Sequence, residues 1–194
     1  RFEEELNKLG FSCNDVTDVV LTHLHFEHCG GCTWIDSNFQ LQLTFPNATH
    51  WISDEQWKNM LQPNLAEENS IFMADVMEIF KQNKLKTIKE ETTLCEGVTL
   101  KLFSGHSIDQ IVPYIKTKER TYVFVGDVIP TAANVPLYWL SAYDIDQIAA
   151  LSGKKAILDE AAKQNQAIIL NMIVTPSVPQ LRKAKTLKLK KKSK

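Results

Sequence analysis

Long apolar runs are missing from this 194-residue chain. None approaches the ~20 residues that a helix needs to cross a bilayer, which excludes a helical membrane anchor as the expected partner surface. Glycine and proline are scarce, seven of each, while hydrophobic residues make up 44%. That balance excludes a collagen-like or disordered chain and points to a packed core. Cysteine is also sparse. Cys13, Cys29, Cys32 and Cys95 do not make a disulfide framework, and Cys29-Gly30-Gly31-Cys32 spells C-x-x-C with no second pair to complete a zinc ribbon. Small residues packing behind a loop are the simpler reading of that stretch. Reduced thiols suit a cytoplasmic location. Basic charge is nearly absent from one region and crowded in another: residues 182–194 hold eight Lys or Arg and no acid, within a total net charge of −1. A basic end on an acidic body is a possible nucleic-acid arm, but the acidic body argues against that partner. The chain opens at Arg1 directly into Phe2-Glu3-Glu4-Glu5-Leu6, from which an N-terminal truncation is expected.

What is present is a run of histidines. Of five in the chain, His23, His25 and His28 fall within six positions, with Glu27 among them. Three imidazoles and a carboxylate so close together are costly unless something binds them, and both groups are metal ligands at neutral pH. The run follows Asp18-Val19-Val20-Leu21-Thr22, a short β-branched stretch that reads as a buried strand. Residues i and i+2 leaving a strand share a face, so His23 and His25 can reach one ion. Glu27 and His28, further round the loop, can reach a second, and Gly30-Gly31 would let the backbone turn sharply.

Elsewhere the periodicity predicts helices over 2–9, from Ser53 through about Leu61 (Ser53-Asp54-Glu55-Gln56 fits a capping box), over 70–82 and over 146–164. Strands are expected near 84–89, 98–104, 111–116, 121–126 and 167–170. Strands first paired locally and then mixed with helices suit a layered α/β fold. Two more candidates lie where such strands end. His106 follows the strand 98–104, and Asp127 ends the apolar run before Val128-Ile129-Pro130, where a carboxylate either caps a turn or binds metal. His50 reads as an ordinary strand residue.

Thr22-His23-Leu24-His25-Phe26-Glu27-His28 resembles the Thr-His-x-His-x-Asp-His signature of the metallo-β-lactamase superfamily, with Glu in place of Asp. Phe45-Pro46-Asn47-Ala48-Thr49, Trp51-Ile52-Ser53, Gly105-His106-Ser107 and Val125-Gly126-Asp127-Val128-Ile129-Pro130 are similar to further stretches of the quorum-quenching lactonase and methyl parathion hydrolase-like branch. The resemblance implies an αββα sandwich, incomplete at its N-terminus, with residues 1–170 as a partial domain and 171–194 as a basic tail outside the native fold. It implies two zinc ions: His106 joins His23 and His25 at one, and Asp127 bridges to a second beside Glu27 and His28. Glu27 and Asp127 become the catalytic carboxylates, moving a proton to the leaving oxygen of a small-molecule ester or lactone. The Tyr143-Asp144 pair resembles a motif near the substrate pocket, although Asp144 reads equally well as a helix N-cap.

Two departures modify this. Glu27 adds a methylene where an Asp is usual, and the histidine expected after the last strand is absent, since none follows His106. One firm and one weak or absent zinc is the expectation. Leu170-Asn171-Met172-Ile173-Val174 can be encoded so that the neighbouring register reads Glu-His-Asp-Cys, which makes a frameshift near residue 170 the expected origin of the tail. Three other functions share some of these residues: a glyoxalase II-like thioesterase, a degenerate metal-binding pseudoenzyme, and a nucleic-acid binder using residues 182–194.

Overall fold

The computed structural model describes residues 2–172, which divide into two compact units, 1–90 and 91 onward. The first unit opens with α1 (Phe2–Lys8) and strand β1 (Asp18–Val20), followed by the one-turn helix α2 (Phe26–Cys29). A two-stranded hairpin comes next, β2 (Thr33–Ile35) with β3 (Leu41–Leu43). Then β4 (Thr49–Ser53), α3 (Asp54–Leu61), α4 (Ala74–Lys81) and β5 (Leu85–Ile88) complete it. Strands β1, β4 and β5 form a parallel sheet in that order. Parallel neighbours need crossover connections, and α3 with α4 supplies the one from β4 to β5. Ser53 starts α3 as expected, its hydroxyl accepting the Gln56 N–H at 3.1 Å. The core gathers Leu21, Leu24, Leu43, Ile52, Met60, Ile71, Val76 and Ile79.

The second unit is a five-stranded sheet in the order β10-β9-β8-β7-β6. Strands β6 (Thr92–Cys95), β7 (Val98–Phe103), β8 (Gln110–Lys116) and β9 (Thr121–Phe124) form an antiparallel meander. Helix α5 (Gln147–Gln164) then carries the chain across so that β10 (Ala167–Ile169) pairs parallel with β9. The Asp146 carboxylate caps α5 by accepting the Ile148 and Ala149 N–H groups at 3.0 and 2.9 Å. Its buried Lys154 donates to the Pro136 and Trp139 carbonyls at 2.8 Å each, tying the helix to the preceding loop. Val112, Val123, Val125, Ile129 and Ile157 fill the core.

The chain is therefore mixed α/β, as the pattern of strands and helices foretold. No described helix is long and apolar enough to cross a membrane. The helix expected from residue 70 starts at Ala74, and the hairpin and β6 went unread in the sequence. Of the segment expected to leave the fold at 171, Asn171 and Met172 are described; Met172 donates its N–H to the Pro130 carbonyl at 3.1 Å. Residues 173–194, which hold the basic stretch, lie outside the described residues.

Cys29 and Cys32 are both buried in the first unit, and burial pushes the Cys32 thiol up to about 12 and the Cys29 thiol higher still. Only thiolate reacts quickly, so the C-x-x-C is inert packing while the fold holds. A thiol reagent at pH 7.5 should modify exposed Cys95 within minutes and reach Cys29 and Cys32 far more slowly until denaturant is added; peptide mapping of the native protein over time reads this directly. Label on native Cys29 appearing as fast as on Cys95 would contradict it.

Candidate metal centre

Strand β1 delivers the chain into the histidine loop, and the Leu21 N–H bonds the Trp51 carbonyl of β4 at 3.0 Å. Beyond it, the side chains alternate: Leu24 goes into the core, while His23 and His25, on either side, are buried beside one another. Two contacts pin Leu24. Its N–H donates to the Gln56 side chain at 3.0 Å, and its carbonyl lies 3.5 Å from the Cys29 sulfur. Helix α2 starts immediately after His25 and swings His28 back over His23. The ring centroids are 4.6 Å apart for His23 and His25, and 4.1 Å apart for His23 and His28. His23 thus offers a ring nitrogen within 4.8 Å of one on each neighbour.

The outer faces of the rings are also engaged. The Thr22 hydroxyl is 3.0 Å from His23 Nδ1. His25 Nε2 is 3.0 Å from Oε1 of Glu67, a carboxylate only 1% exposed. Glu27 stands apart from this group: its side chain is 42% exposed and its nearest carboxylate oxygen is 3.9 Å from His28 Nε2. The glycines serve differently from expectation. Gly30 has an ordinary helical φ of −58°, so no unusual turn is needed there. A Cβ on Gly31 would lie 2.7 Å from the Phe2 ring, so Gly31 allows α1 to close on the loop.

The second unit presents its own pair. His106 follows β7 on a loop opened by Gly105, whose φ is +142°. A Cβ there would sit 2.4 Å from Ala150 backbone atoms of α5. Asp127 lies in the turn after β9, and its Oδ2 is 3.3 Å from His106 Nε2. Behind the ring, Asp144 Oδ1 is 3.3 Å from His106 Nδ1, and Asp144 Oδ2 accepts the Ser141 N–H at 3.0 Å. Asp146, two residues on, is the cap of α5, so the N-cap reading of Asp144 does not hold; Asp144 instead faces His106. Asn171, just past β10, donates its side-chain N–H to Asp127 Oδ1 at 2.5 Å.

These donors fit a zinc-like ion. Imidazole nitrogen with carboxylate oxygen is the ligand chemistry of such sites, and His23, His25 and His106 each have one ring nitrogen faced by a side chain that orients the ring: Thr22, Glu67 and Asp144. Three protonated rings packed this closely would repel one another, and metal bound to the neutral rings avoids that cost. The sequence pattern of the metallo-beta-lactamase superfamily matches residues 1–189. The chain belongs to the metallo-beta-lactamase superfamily.

Solved structures of similar fold include a probable metal-dependent hydrolase from Staphylococcus aureus, 23% identical with a TM-score of 0.79, covering 87% of this chain and 58% of that one. AidC, a dizinc quorum-quenching lactonase in complex with a product, is 27% identical with a TM-score of 0.69, covering 87% of this chain and 61% of its own. An N-acyl homoserine lactone hydrolase with product bound at its catalytic metal centre is 21% identical with a TM-score of 0.66, covering 88% and 61%. This chain thus spans about three fifths of the length of these solved proteins. No curated protein matched the sequence.

Of the six residues read as ligands, His23, His25 and His28 are together in the first unit, and His106 with Asp127 in the second. Glu27 is the one held at a distance. Glu67, Gln56 and Asn171 were missed. Only Glu67 left a trace in the sequence, since Asn64-Leu65-Ala66-Glu67 has the form of an Asx turn that would orient a carboxylate.

Proposed function

We propose that this chain is a zinc-dependent hydrolase that opens lactone rings of the N-acyl homoserine lactone kind. The observation that carries the reading is the convergence of His23, His25 and His28 on one buried loop under the superfamily signature. The 27% identity to a dizinc lactonase supports the substrate class. Under this reading His23 and His25 of the first unit would be ligands of a firm ion and His28, with Glu27 more loosely, of a weaker one, while His106 and Asp127 of the second unit are the further ligands that the family resemblance implies. A bound divalent ion supplies Lewis acidity, which acidifies water and polarises a carbonyl oxygen.

The residues do the rest. Asp127, buried beside His106, is placed to accept a proton from the attacking water and return it to the alkoxide oxygen as the ring C–O bond breaks. Water's oxygen ends on the acyl carbon and its two protons on the product's hydroxyl and acid. Asn171 weakens the second position, because its donated N–H occupies one oxygen of Asp127, and an amide nitrogen has no lone pair to offer a metal.

The same feature favours a second reading, a metal-binding pseudoenzyme, and one experiment separates the two. After zinc loading and dialysis, metal analysis should give about one ion per chain. Acid release from N-hexanoyl homoserine lactone, followed in a pH-stat, should then exceed the zinc-free control, with a glutathione thioester as comparison substrate. Zinc retained without acid release from either substrate would favour the pseudoenzyme. Faster thioester cleavage would favour a glyoxalase II-like activity, and no retained zinc would sink the metal reading altogether.

A further inference from the structure

Glu67 lies 42 residues beyond His25 in sequence, in the loop after α3, and is the most buried carboxylate among the described residues. One oxygen, Oε1, faces His25 Nε2 at 3.0 Å. The other, Oε2, receives two side-chain amides, Asn59 Nδ2 at 2.9 Å and Asn64 Nδ2 at 2.5 Å. The direction of those amides is not a matter of choice. Asn64 Oδ1 accepts the backbone N–H groups of Ala66 and Glu67 at 2.9 and 3.1 Å, so its nitrogen must point at Glu67. Asn59 Oδ1 likewise accepts the Asn64 N–H at 3.3 Å. Backbone donors therefore make both amides donors to Oε2, and the remaining oxygen Oε1 of the carboxylate, having no proton of its own, is the acceptor that faces His25.

We propose that Glu67 is a positioning residue that holds neutral His25 in the tautomer with its proton on Nε2, so that the lone pair sits on Nδ1 and that nitrogen is the metal ligand. This rests on the reading of His25 as a ligand. The pairing is the mirror image of the other two rings, since Thr22 and Asp144 face the Nδ1 atoms of His23 and His106. Metal-ligating histidines depend on such outer partners for tautomer and ring orientation. In the loop sequence the second histidine is therefore assigned the opposite nitrogen from the first.

Glu67→Gln gives a sharp test because it keeps shape and hydrogen-bond reach. The two asparagine donors demand that the new amide place its carbonyl oxygen where Oε2 stood. Its NH2 then faces His25, whose Nε2 must accept, and the proton moves to Nδ1. Long-range nitrogen–proton NMR of histidine-labelled, metal-free protein at pH 8.5 reads the tautomer without any metal, with His25→Ala identifying the signal. Wild type should show the proton on Nε2 and Glu67→Gln should show it on Nδ1. Zinc affinity of the variant should fall ~10–100-fold, with Glu67→Asp losing less because it keeps the acceptor. A wild-type proton on Nδ1 overturns the proposal, and needs no variant to fold. So does an unchanged tautomer in a folded Glu67→Gln. If His25→Ala binds zinc as wild type does, it is the metal assignment that falls, and the tautomer result stands on its own.

Discussion

Replacing His23 with Ala should abolish tight zinc binding. Among the three clustered rings His23 is the shared neighbour, close to both His25 and His28, and it is fully buried. Losing an outer partner of a metal ligand typically costs 10–100-fold in affinity, so losing the ligand itself should cost at least ~100-fold. Zinc retained after dialysis against a weak chelator should fall from about one ion to near none per chain. Under the proposed function, lactone opening should fall with it. The fold need not follow: the melting temperature of metal-free protein should change far less than that of zinc-loaded protein, because bound metal stabilises only the folded state. Equal melting shifts with and without zinc would mean that His23 acts as core packing rather than as a ligand.

Gly105→Ala should do comparable damage by another route. With φ at +142°, the position is open only to glycine without strain, and the new Cβ would meet Ala150 backbone atoms at 2.4 Å. Neither contact atom is a flexible side-chain end, so loop or helix must move. Left-handed strain and overpacking together should cost ~2–5 kcal/mol of stability, read from denaturant midpoints. Because Gly105 directly precedes His106, the displacement should also disturb the His106–Asp127 pair, and zinc affinity should drop in whatever fraction remains folded. A stable Gly105→Ala with native zinc affinity would show that the close approach to α5 is dispensable.

The histidine loop was legible because its signal is local. A strand, a two-residue spacing and a turn of helix bring His23, His25 and His28 together without help from distant sequence. His106 and Asp127 were legible for a related reason: each stands where an apolar strand stops. Helix α5 announced itself through length and spacing, and Ser53 through its cap. The misses have physical causes as well. The β2–β3 strands have three residues apiece with Trp34 and Ile35 exposed, so no buried face imprints an alternating pattern. Gly30-Gly31 reads as a turn, yet what Gly31 accommodates is the ring of Phe2, 29 residues earlier, which no local pattern reports. Glu67 and Asn171 reach their partners from 42 and 44 residues away, and only folding reveals such pairs. Tyr143-Asp144 suggested two roles with equal force; the cap on Asp146 left Asp144 to His106.

The two buried thiols turn the first unit into its own clock. Cys29 and Cys32 lie in the same core as Leu24, the residue between the candidate ligands His23 and His25, so a reagent reaches them only when that core opens. Where closing outruns labelling, the labelling rate measures the fraction of time spent open, and each tenfold slowing corresponds to ~1.4 kcal/mol of local stability. The histidine loop can therefore be watched breathing through sulfur atoms that take no part in its chemistry, with zinc added or withheld, and without a probe attached to the site.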